Sequence, residues 1–207
     1  MNNIEWKYGK KGRRNLIYGV GVNDAKYKTQ YKQDGKIIRC PYYVVWSGML
    51  RRCYSDKFKL DRPTYKECYV CDDWKVFSSF KLWMSGQDWE GNQLDKDILR
   101  KGNKIYSPDF CVFVPALINS FVISNNANRG EFPVGVTWCG YHGKYKASCS
   151  NPFTKKGESL GFFESPNLAH DAWLKRKAEH AEALSKTIKN ERVSTALISY
   201  FKGGLHV

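Results

Sequence analysis

Hydrophobic and polar positions alternate with two different periods along this chain, and the changes of period mark its predicted elements. Apolar residues recur every three or four positions from Pro41 to Tyr54, which predicts an amphipathic helix with proline in its first turn. A second helix is predicted from Asp72, as N-cap, to about Met84. Alternation from Lys26 to Arg39 around Asp34-Gly35 predicts a β-hairpin. Lys57–Pro63 has neither period, and we expect a loop there.

The middle of the chain combines both periods. Leu94–Leu99 and Cys111–Val114 are predicted as strands, and Arg100–Lys104 as a basic turn after the first of them. Pro115 stands where a helix can begin. The local order is therefore strand, strand, helix.

The C-terminal part has a simpler pattern. Pro133–Trp138, Lys144–Cys149 and Glu158–Phe163 predict three short strands. Ser165-Pro166 supplies an N-cap and a proline at the first helical position, which predicts a helix to about Thr187. On that helix we expect the apolar side chains to face the sheet: Leu168, Ala169, Ala172 and Trp173.

These elements predict an α+β protein, and shifts in composition divide it. Residues 188–207 have no clear assignment. The predicted segments are a basic arm (1–24), a first domain (25–124), a polar linker (125–131), a second domain (132–187) and a C-terminal tail (188–207).

Charge narrows the range of partners. Thirty-four Lys and Arg residues against twenty Asp and Glu give a formal net charge of +14, which suits a polyanion because neutralised phosphates release counterions. Basic residues interleave with Trp and Tyr, which favours nucleic acid over a merely soluble basic protein. No apolar run is long enough for a membrane span, and the first residues lack the apolar core of a signal peptide. We therefore expect an intracellular protein with no membrane partner.

Seven cysteines, an odd number, argue against a disulfide scaffold in a reducing compartment. Cys68 and Cys71 have the spacing of zinc ligands. Only one such pair exists, and the remaining cysteines fall in apolar patterns where a reduced, buried thiol is ordinary. The pattern favours reduced core cysteines over a structural Zn²⁺ site at this pair.

Oxygen donors in the strand–strand–helix stretch suggest a different metal. Asp95 lies on the first predicted strand and Asn119 on the helix, so both could converge on one hard divalent ion. Such an ion supplies positive charge for phosphodiester hydrolysis, and a neighbouring base usually activates the water. Here the neighbour of Asp95 is Lys96.

The run LDKD…NKIYSPDFCVFVPALIN resembles the core of the phage-type HNH, or ββα-metal, endonucleases, and the upstream runs WSGMLRRCY and VCDDWKVFSSFKLWM resemble the region before that core. The resemblance covers roughly Cys40 to Phe121. It implies a ββα-metal nuclease core, a Mg²⁺ or Mn²⁺ cofactor and double-stranded DNA as substrate. By position it implies that Asp95 and Asn119 are metal ligands, and that Lys96 occupies the place of the general-base histidine.

This chain departs from the family pattern at two positions. Lys96 replaces the histidine, and an ammonium group cannot accept a proton unless its pKa is strongly depressed, although it could stabilise phosphate charge. Phe110 replaces the asparagine that is expected before the motif cysteine. Three tyrosines are substitute candidates for the base, and the sequence does not rank them: Tyr65, Tyr69 and Tyr106.

The run PVGVTWCGYHGKYKASCS…KKGESLGFFESPNLAHDAWLKRK resembles the AP2 DNA-binding domain over about Phe132 to Glu182. That family places a three-stranded sheet in the major groove and a helix behind it. Alternation directs Tyr145, Ala147 and Cys149 toward the helix, with His142 close to the DNA face. Thr137 and Ser150 stand where plant members carry base-contacting arginines, so phosphate contact outweighs base readout. The predicted DNA-binding residues of the whole chain are Arg51, Arg52, Lys101, Lys104, Lys144, Lys146, Ser148, Lys155 and Lys156.

Together the two resemblances imply a metal-dependent HNH-type DNA endonuclease with an AP2-like DNA-binding module. Free-standing mobile (homing) nucleases often have this arrangement, and a phage-encoded protein would act in the bacterial host cytoplasm. The alternative is a catalytically degenerate HNH fold that binds DNA or protein as a phage factor, for example a regulator or inhibitor of a host system. Lys96 and Phe110 favour that alternative. RNA binding fits the charge but not the paired modules.

Overall fold

The computed structural model describes residues 16–122 and 131–202, and these form an α+β protein with small sheets. The chain divides into two compact units: residues 1–97 with 102–113, and residues 98–101 with 114–207. Most of the predicted linker lies outside the described residues, as do the basic residues of the predicted arm: Lys7, Lys10, Lys11, Arg13 and Arg14.

The first unit begins with a hairpin and a helix, both as predicted. Strands β1 (Gln30–Gln33) and β2 (Lys36–Arg39) pair antiparallel, and Asp34 and Gly35 join them with positive φ angles of 50° and 75°. This is the turn geometry that an Asp-Gly pair favours. Helix α1 (Pro41–Tyr54) has the predicted bounds.

Two predictions on the next segment were wrong. The expected loop contains helix α2 (Asp56–Asp61), which Ser55 caps by accepting the Phe58 N–H at 3.4 Å.

The helix expected from Asp72 starts later: a short 3-10 turn ends at Val76, which is extended, and helix α3 (Phe77–Ser85) follows. The Asp72 carboxylate accepts a hydrogen bond from Lys75 Nζ at 2.7 Å instead of capping a helix. The first turn of the predicted helix is therefore a separate 3-10 turn, and the α-helix begins five residues after Asp72.

Four short strands and a helix make up the stretch that resembles the HNH core. Strands β3 (Tyr69–Val70) and β5 (Ile105–Tyr106) pair in parallel, and β4 (Gln93–Asp95) pairs with β6 (Val112–Val114). Helix α4 (Ala116–Val122) follows Pro115. The two predicted strands and the helix after them are present, but the unpredicted strand β5 lies between them in the chain. Strand β4 is shorter than predicted because the chain bends after Asp95.

The core of the first unit is rich in aromatic side chains. Trp46 donates its indole N–H to the Trp74 carbonyl at 2.7 Å, so the polar atom of this buried ring is satisfied. Helices α1 and α3 supply most of the fully buried side chains: Trp46, Met49, Leu50, Cys53, Phe77, Phe80 and Met84. The predicted apolar face of α1 and most of that of α3 are confirmed.

The second unit contains the predicted three-stranded sheet and long helix. Strands β7 (Val136–Cys139), β8 (Lys144–Ser150) and β9 (Gly157–Phe163) form an antiparallel sheet with β8 at its centre. Helix α5 (Pro166–Ser185) packs against this sheet, and Ser165 caps it by accepting the Leu168 N–H. Leu168 itself is 53% exposed, so its predicted place on the buried face was wrong.

A further helix occupies the segment that the sequence left unassigned. Helix α6 (Glu191–Lys202) packs against α5, and Asn190 caps it by accepting the Val193 N–H at 3.2 Å. Val193, Leu197 and Phe201 are buried, at spacings of four residues. Among the described residues, the helices are too short or too polar for any to span a bilayer.

Candidate functional site

Asp95, the predicted metal ligand of the first unit, is the last residue of β4 and is half-buried. Its Oδ1 atom accepts the backbone N–H of Asp97 at 2.8 Å. This hydrogen bond holds the carboxylate at the bend that ends the strand, so Asp95 has a fixed rather than a freely rotating side chain.

Lys96 follows Asp95, and its side chain is buried. Its Nζ atom donates to both carboxylate oxygens of Asp97 at 2.8 Å and to the Asn103 carbonyl at 2.6 Å. Burial alone would lower the pKa of Lys96, but the hydrogen bonds and negative charge of Asp97 outweigh it, and the pKa is raised. Lys96 is therefore a charged group whose three N–H donors are all engaged, which does not suit a general base.

Asn103 completes this arrangement from the other end of the loop. Its Nδ2 atom donates to the Lys96 carbonyl at 2.9 Å and to the Ile105 carbonyl at 2.7 Å. We call Lys96, Asp97 and Asn103 the loop clamp. The loop clamp ties the residue after Asp95 to the start of β5, and this part of the chain is thereby held by both side-chain and backbone hydrogen bonds.

The three candidate tyrosines have different environments. Tyr106 is buried, and burial raises its pKa well above the usual range. It is therefore protonated at neutral pH and does not suit the role of base. Tyr65 is half-buried, with its ring centre 5.9 Å from Lys96 Nζ, whereas Tyr69 is 51% exposed. The ring of Tyr65 therefore lies beside one member of the loop clamp, Lys96.

The two adjacent arginines of α1, Arg51 and Arg52, also differ in their exposure to solvent. Arg51 is exposed, with its guanidinium carbon 5.2 Å from the Phe58 ring centre. Arg52 is half-buried, 5.6 Å from the Tyr106 ring centre, and its Nε atom is buried without a hydrogen-bond partner among the described residues. Arg51 is thus available for phosphate contact at the surface, whereas Arg52 points into the protein beside Tyr106.

The lysines predicted to bind DNA around the basic turn lie at the surface of their units. In the second unit Lys101 is exposed, with Nζ 5.0 Å from the Tyr200 ring centre. In the first unit Lys104 is half-buried and lies 3.8 Å from the Glu67 carboxylate. Such an exposed pair is weak, so Lys104 can exchange Glu67 for a phosphate at little cost.

Asn119 lies on α4 in the second unit and is half-buried. Its backbone N–H donates to the Pro115 carbonyl at 3.1 Å, in the first turn of the helix. Asp95 and Asn119 belong to different compact units, so their association at one ion remains a prediction from the sequence motif. As donors, a carboxylate and an amide oxygen both suit a hard divalent cation.

Cys68 and Cys71 are both free thiols. The Cys68 Sγ atom donates to the Thr64 carbonyl at 3.8 Å, and burial raises the pKa of both thiols. The described part of the chain contains no group of three or more His, Cys, Asp or Glu residues arranged to bind a metal. The buried thiol of Cys68, with its carbonyl acceptor, has the environment of a core cysteine.

The central strand of the second unit has the predicted alternation. Ala147 and Cys149 are buried on the side of α5, whereas Lys146 and Ser148 are half-buried on the opposite, open face. Lys144 also lies on the open face, but its Nζ contacts the Glu164 carboxylate at 2.7 Å. The open face therefore presents a mixture of basic and hydroxyl groups.

The loop between β8 and β9 presents the two remaining candidate lysines to solvent. Lys155 and Lys156 are exposed, and Lys155 has a positive φ of 58°. Asn151 orders this loop, because its Oδ1 atom accepts the N–H groups of Phe153 and Thr154 at 2.9 and 3.1 Å. The two lysines thus project from a fixed turn.

His180 lies on α5, a position for which the sequence motifs suggest no role. It is buried, and its Nε2 atom lies 3.0 Å from a Glu158 carboxylate oxygen that Arg176 also contacts at 2.7 Å. Arg176 and Asn151 lower the pKa of Glu158 to about 2. The sequence did contain the signal, because His180 is seven positions after Trp173 on the buried stripe of α5.

Comparisons of this chain with protein-family models, curated proteins and solved structures find no significant match. Its function is therefore inferred from its motifs and from the contacts described above.

Proposed function

We propose that this protein is a metal-dependent HNH-type endonuclease that hydrolyses phosphodiester bonds in duplex DNA, with an AP2-like module that binds the DNA. The observation that carries the proposal is the fixed carboxylate of Asp95 at the end of β4, followed by a paired strand and then a helix with Asn119. The three-stranded sheet against α5 supports the AP2-like part. The net charge of +14 supports a polyanionic substrate.

In this proposal Asp95 and Asn119 would hold a Mg²⁺ or Mn²⁺ ion, and that ion would supply positive charge to the phosphate in the transition state. Lys96 acts as a charged support of the Asp95 bend and does not move a proton. Tyr65 is the candidate to hold or transfer a proton, since it is half-buried with its ring beside Lys96, whereas Tyr106 is buried. Arg51, Lys101 and Lys104 would contact the DNA backbone.

One observation favours the second candidate function, a degenerate HNH fold that binds DNA or protein. The position of the general-base histidine holds Lys96, whose ammonium group is fully hydrogen-bonded and charged. A protein with such a site could keep the fold and the DNA-binding surfaces without hydrolysis. The two candidates differ in whether DNA that is bound is also cut.

A cleavage assay separates them. Supercoiled plasmids carrying different inserts are incubated with the protein and Mg²⁺ or Mn²⁺, and nicked and linear products are measured on a gel. We expect cleavage by the wild type and a loss of more than about 100-fold in Asp95→Ala and Asn119→Ala, because a metal ligand contributes several kcal/mol to the transition state. Asp73→Ala, an exposed carboxylate in the first unit, is the matched control and should cleave normally.

A DNA-binding measurement in EDTA accompanies the assay. If the wild type and all variants bind DNA equally and leave every plasmid intact, the nuclease proposal is wrong and the binding function stands. If Asp73→Ala loses as much activity as Asp95→Ala, the assignment of Asp95 is wrong.

A further inference from the structure

The open face of the three-stranded sheet has one row of side chains that crosses all three strands. Thr137 of β7 lies opposite Lys146 of β8, and Lys146 lies opposite Phe162 of β9. The neighbouring row, Val136 and Ala147, is buried against Ala169 of α5 on the other side of the sheet. The row with Phe162 therefore faces away from the helix.

Phe162 is 40% exposed, although a benzyl side chain gains free energy from burial. The imidazole of His142, at the turn between β7 and β8, lies 4.1 Å from the Phe162 ring centre. Tyr141 is 94% exposed and meets His142 edge to face at 4.9 Å. Thr137, Lys146, Phe162 and His142 form what we call the open-face patch, a surface in which two rings already contact each other with their planes inclined by 48°.

The charges on this face are arranged around the rings. Lys144 is paired with Glu164, but Lys146, in the middle of the row, makes no ion pair within the described part of the chain. A cation beside an exposed ring suits a ligand with an anionic group next to an aromatic one. A nucleotide has both, since its phosphate and its base are separated only by the sugar.

The chemistry of the row argues against direct reading of paired bases. Bidentate recognition of a base edge needs Arg, Lys, Asn or Gln with two donors or acceptors in position, and of these the row contains only one lysine. A flat ring needs the face of a base, and in a duplex that face is covered by the neighbouring base pairs. Only an unpaired base can stack on Phe162.

We propose that the open-face patch binds an unpaired nucleotide, with its base stacked on Phe162 and His142 and its phosphate at Lys146. The inference rests on the proposed function only in taking nucleic acid as the partner. It does not depend on cleavage. The strand could be single-stranded DNA, a melted segment of duplex or RNA, since all three offer the same base face and phosphate.

Fluorescence anisotropy in EDTA tests the proposal with the full chain. The probes are a labelled 12-nucleotide single-stranded DNA, its RNA equivalent and the matching DNA duplex. We expect Phe162→Ala to weaken single-strand binding by about 5- to 150-fold, the range for loss of one base stack, and duplex binding by less than about 2-fold. Phe162→Trp should restore single-strand binding. The DNA and RNA arms identify which strand is preferred.

Two further variants make the result decisive. Phe153→Ala removes another exposed aromatic ring, 51% exposed against 40% for Phe162, in the loop after β8 and outside the patch, and should leave all three affinities unchanged. Phe162→Leu keeps an apolar side chain without a flat ring, so it separates stacking from general packing if the alanine variant unfolds. Single-strand binding should fall in this variant too.

Equal loss of duplex and single-strand binding in Phe162→Ala would overturn the proposal, because the ring would then contact duplex DNA, for example a thymine methyl group. Unchanged single-strand binding in both Phe162→Ala and Phe162→Leu would also overturn it. Failure of the nuclease proposal is a separate result: plasmid left intact by a protein whose single-strand binding still depends on Phe162.

Discussion

Two lysines, one in each compact unit, lose hydration with opposite consequences: Lys96 is buried and Lys177 is half-buried. Lys96 is held by the Asp97 carboxylate and the Asn103 carbonyl, and its pKa is raised. Lys177 lies 3.7 Å from the Phe121 ring centre and donates to the Phe121 carbonyl at 3.0 Å, and burial lowers its pKa. Lys177 makes no ion pair with the residues that the structure describes.

The difference shows that the group in contact with a lysine that has lost hydration decides whether the pKa of that lysine rises or falls. A carboxylate compensates the lost hydration of Lys96, so the charge becomes part of the loop clamp that supports Asp95. Aromatic rings compensate it only in part for Lys177, whose contribution is a cation–π contact and a packed aliphatic stem. Three measurements of protein stability test this difference between Lys96 and Lys177.

The largest effect is expected for Lys96→Met. The substitution keeps the approximate volume but leaves Asp97 and the Asn103 carbonyl without their charged donor. We expect the free energy of unfolding to fall by about 2 kcal/mol, a value reduced from that of a fully buried pair because Asp97 is 39% exposed. Urea unfolding followed by tryptophan fluorescence measures it, since Trp46 and Trp74 are buried in the first unit.

Lys104→Met is the control, since its contact with Glu67 is 3.8 Å long and both groups are largely exposed. It should change stability by less than about 0.5 kcal/mol. Equal losses in the two variants would mean that the loop clamp contributes nothing specific.

A smaller effect is expected for Lys177→Met. The methionine side chain cannot make the cation–π contact, but it also avoids the free-energy cost of removing a charged group from water. We expect a change within about 1 kcal/mol in either direction, measured by urea unfolding followed by far-ultraviolet circular dichroism. Lys177→Ala should cost more, because it also removes the packed stem. A loss in Lys177→Met as large as in Lys96→Met would contradict the comparison.

The smallest predicted effect concerns the pH dependence of stability at alkaline pH, which should have opposite signs for the two lysines. The raised pKa of Lys96 means that its contribution to stability is complete below the ordinary lysine value of 10.5 and is lost as the pH rises through the folded-state value. The lowered pKa of Lys177 means that the unfolded chain binds more protons than the folded chain between the folded-state pKa and 10.5. The contribution of Lys177 to stability therefore rises with pH in that window.

Unfolding free energies of the wild type and of each methionine variant between pH 8 and pH 11 measure these trends as differences, in which the other titrating groups cancel. The unfolding free energy of the wild type minus that of Lys96→Met should fall above pH 10.5. The corresponding difference for Lys177→Met should grow as the pH rises toward 10.5. The same sign for both lysines would refute the assignment of their partners.

Regular periods in the sequence predicted most elements. The hairpin at Asp34-Gly35, helix α1, the three-stranded sheet and the cap of α5 by Ser165 follow from local rules that the fold does not override. Two predicted elements differ from the structure, and the circumstances of the two differ. Asp72 was a good cap by residue type, but Lys75 pairs with it, and α2 formed in a segment that has no apolar stripe.

The candidate site residues come from the sequence motif and remain predictions, whereas their environments are seen only in the structure. The motif identified Asp95, Lys96 and Asn119, but it left open whether Lys96 could exchange a proton. That depends on Asn103, seven residues later, and on the carboxylate of Asp97. Likewise, the sequence treated Arg51 and Arg52 alike, whereas only Arg52 lies beside Tyr106 with a buried, unpartnered Nε atom.

The sequence by itself determined the positive charge of this protein, its α+β pattern and the alternation that separates Lys146 from Ala147 on β8, because these depend on composition and on near neighbours. The tertiary structure decided the protonation of Lys96 and Lys177, the burial of His180 and the contact of His142 with Phe162. Lys177, His180 and His142 contact groups that are distant in the chain, and Lys96 contacts the Asn103 carbonyl as well as its neighbour Asp97. Electrostatic energies change steeply over a few ångströms, so these contacts depend on the folded structure.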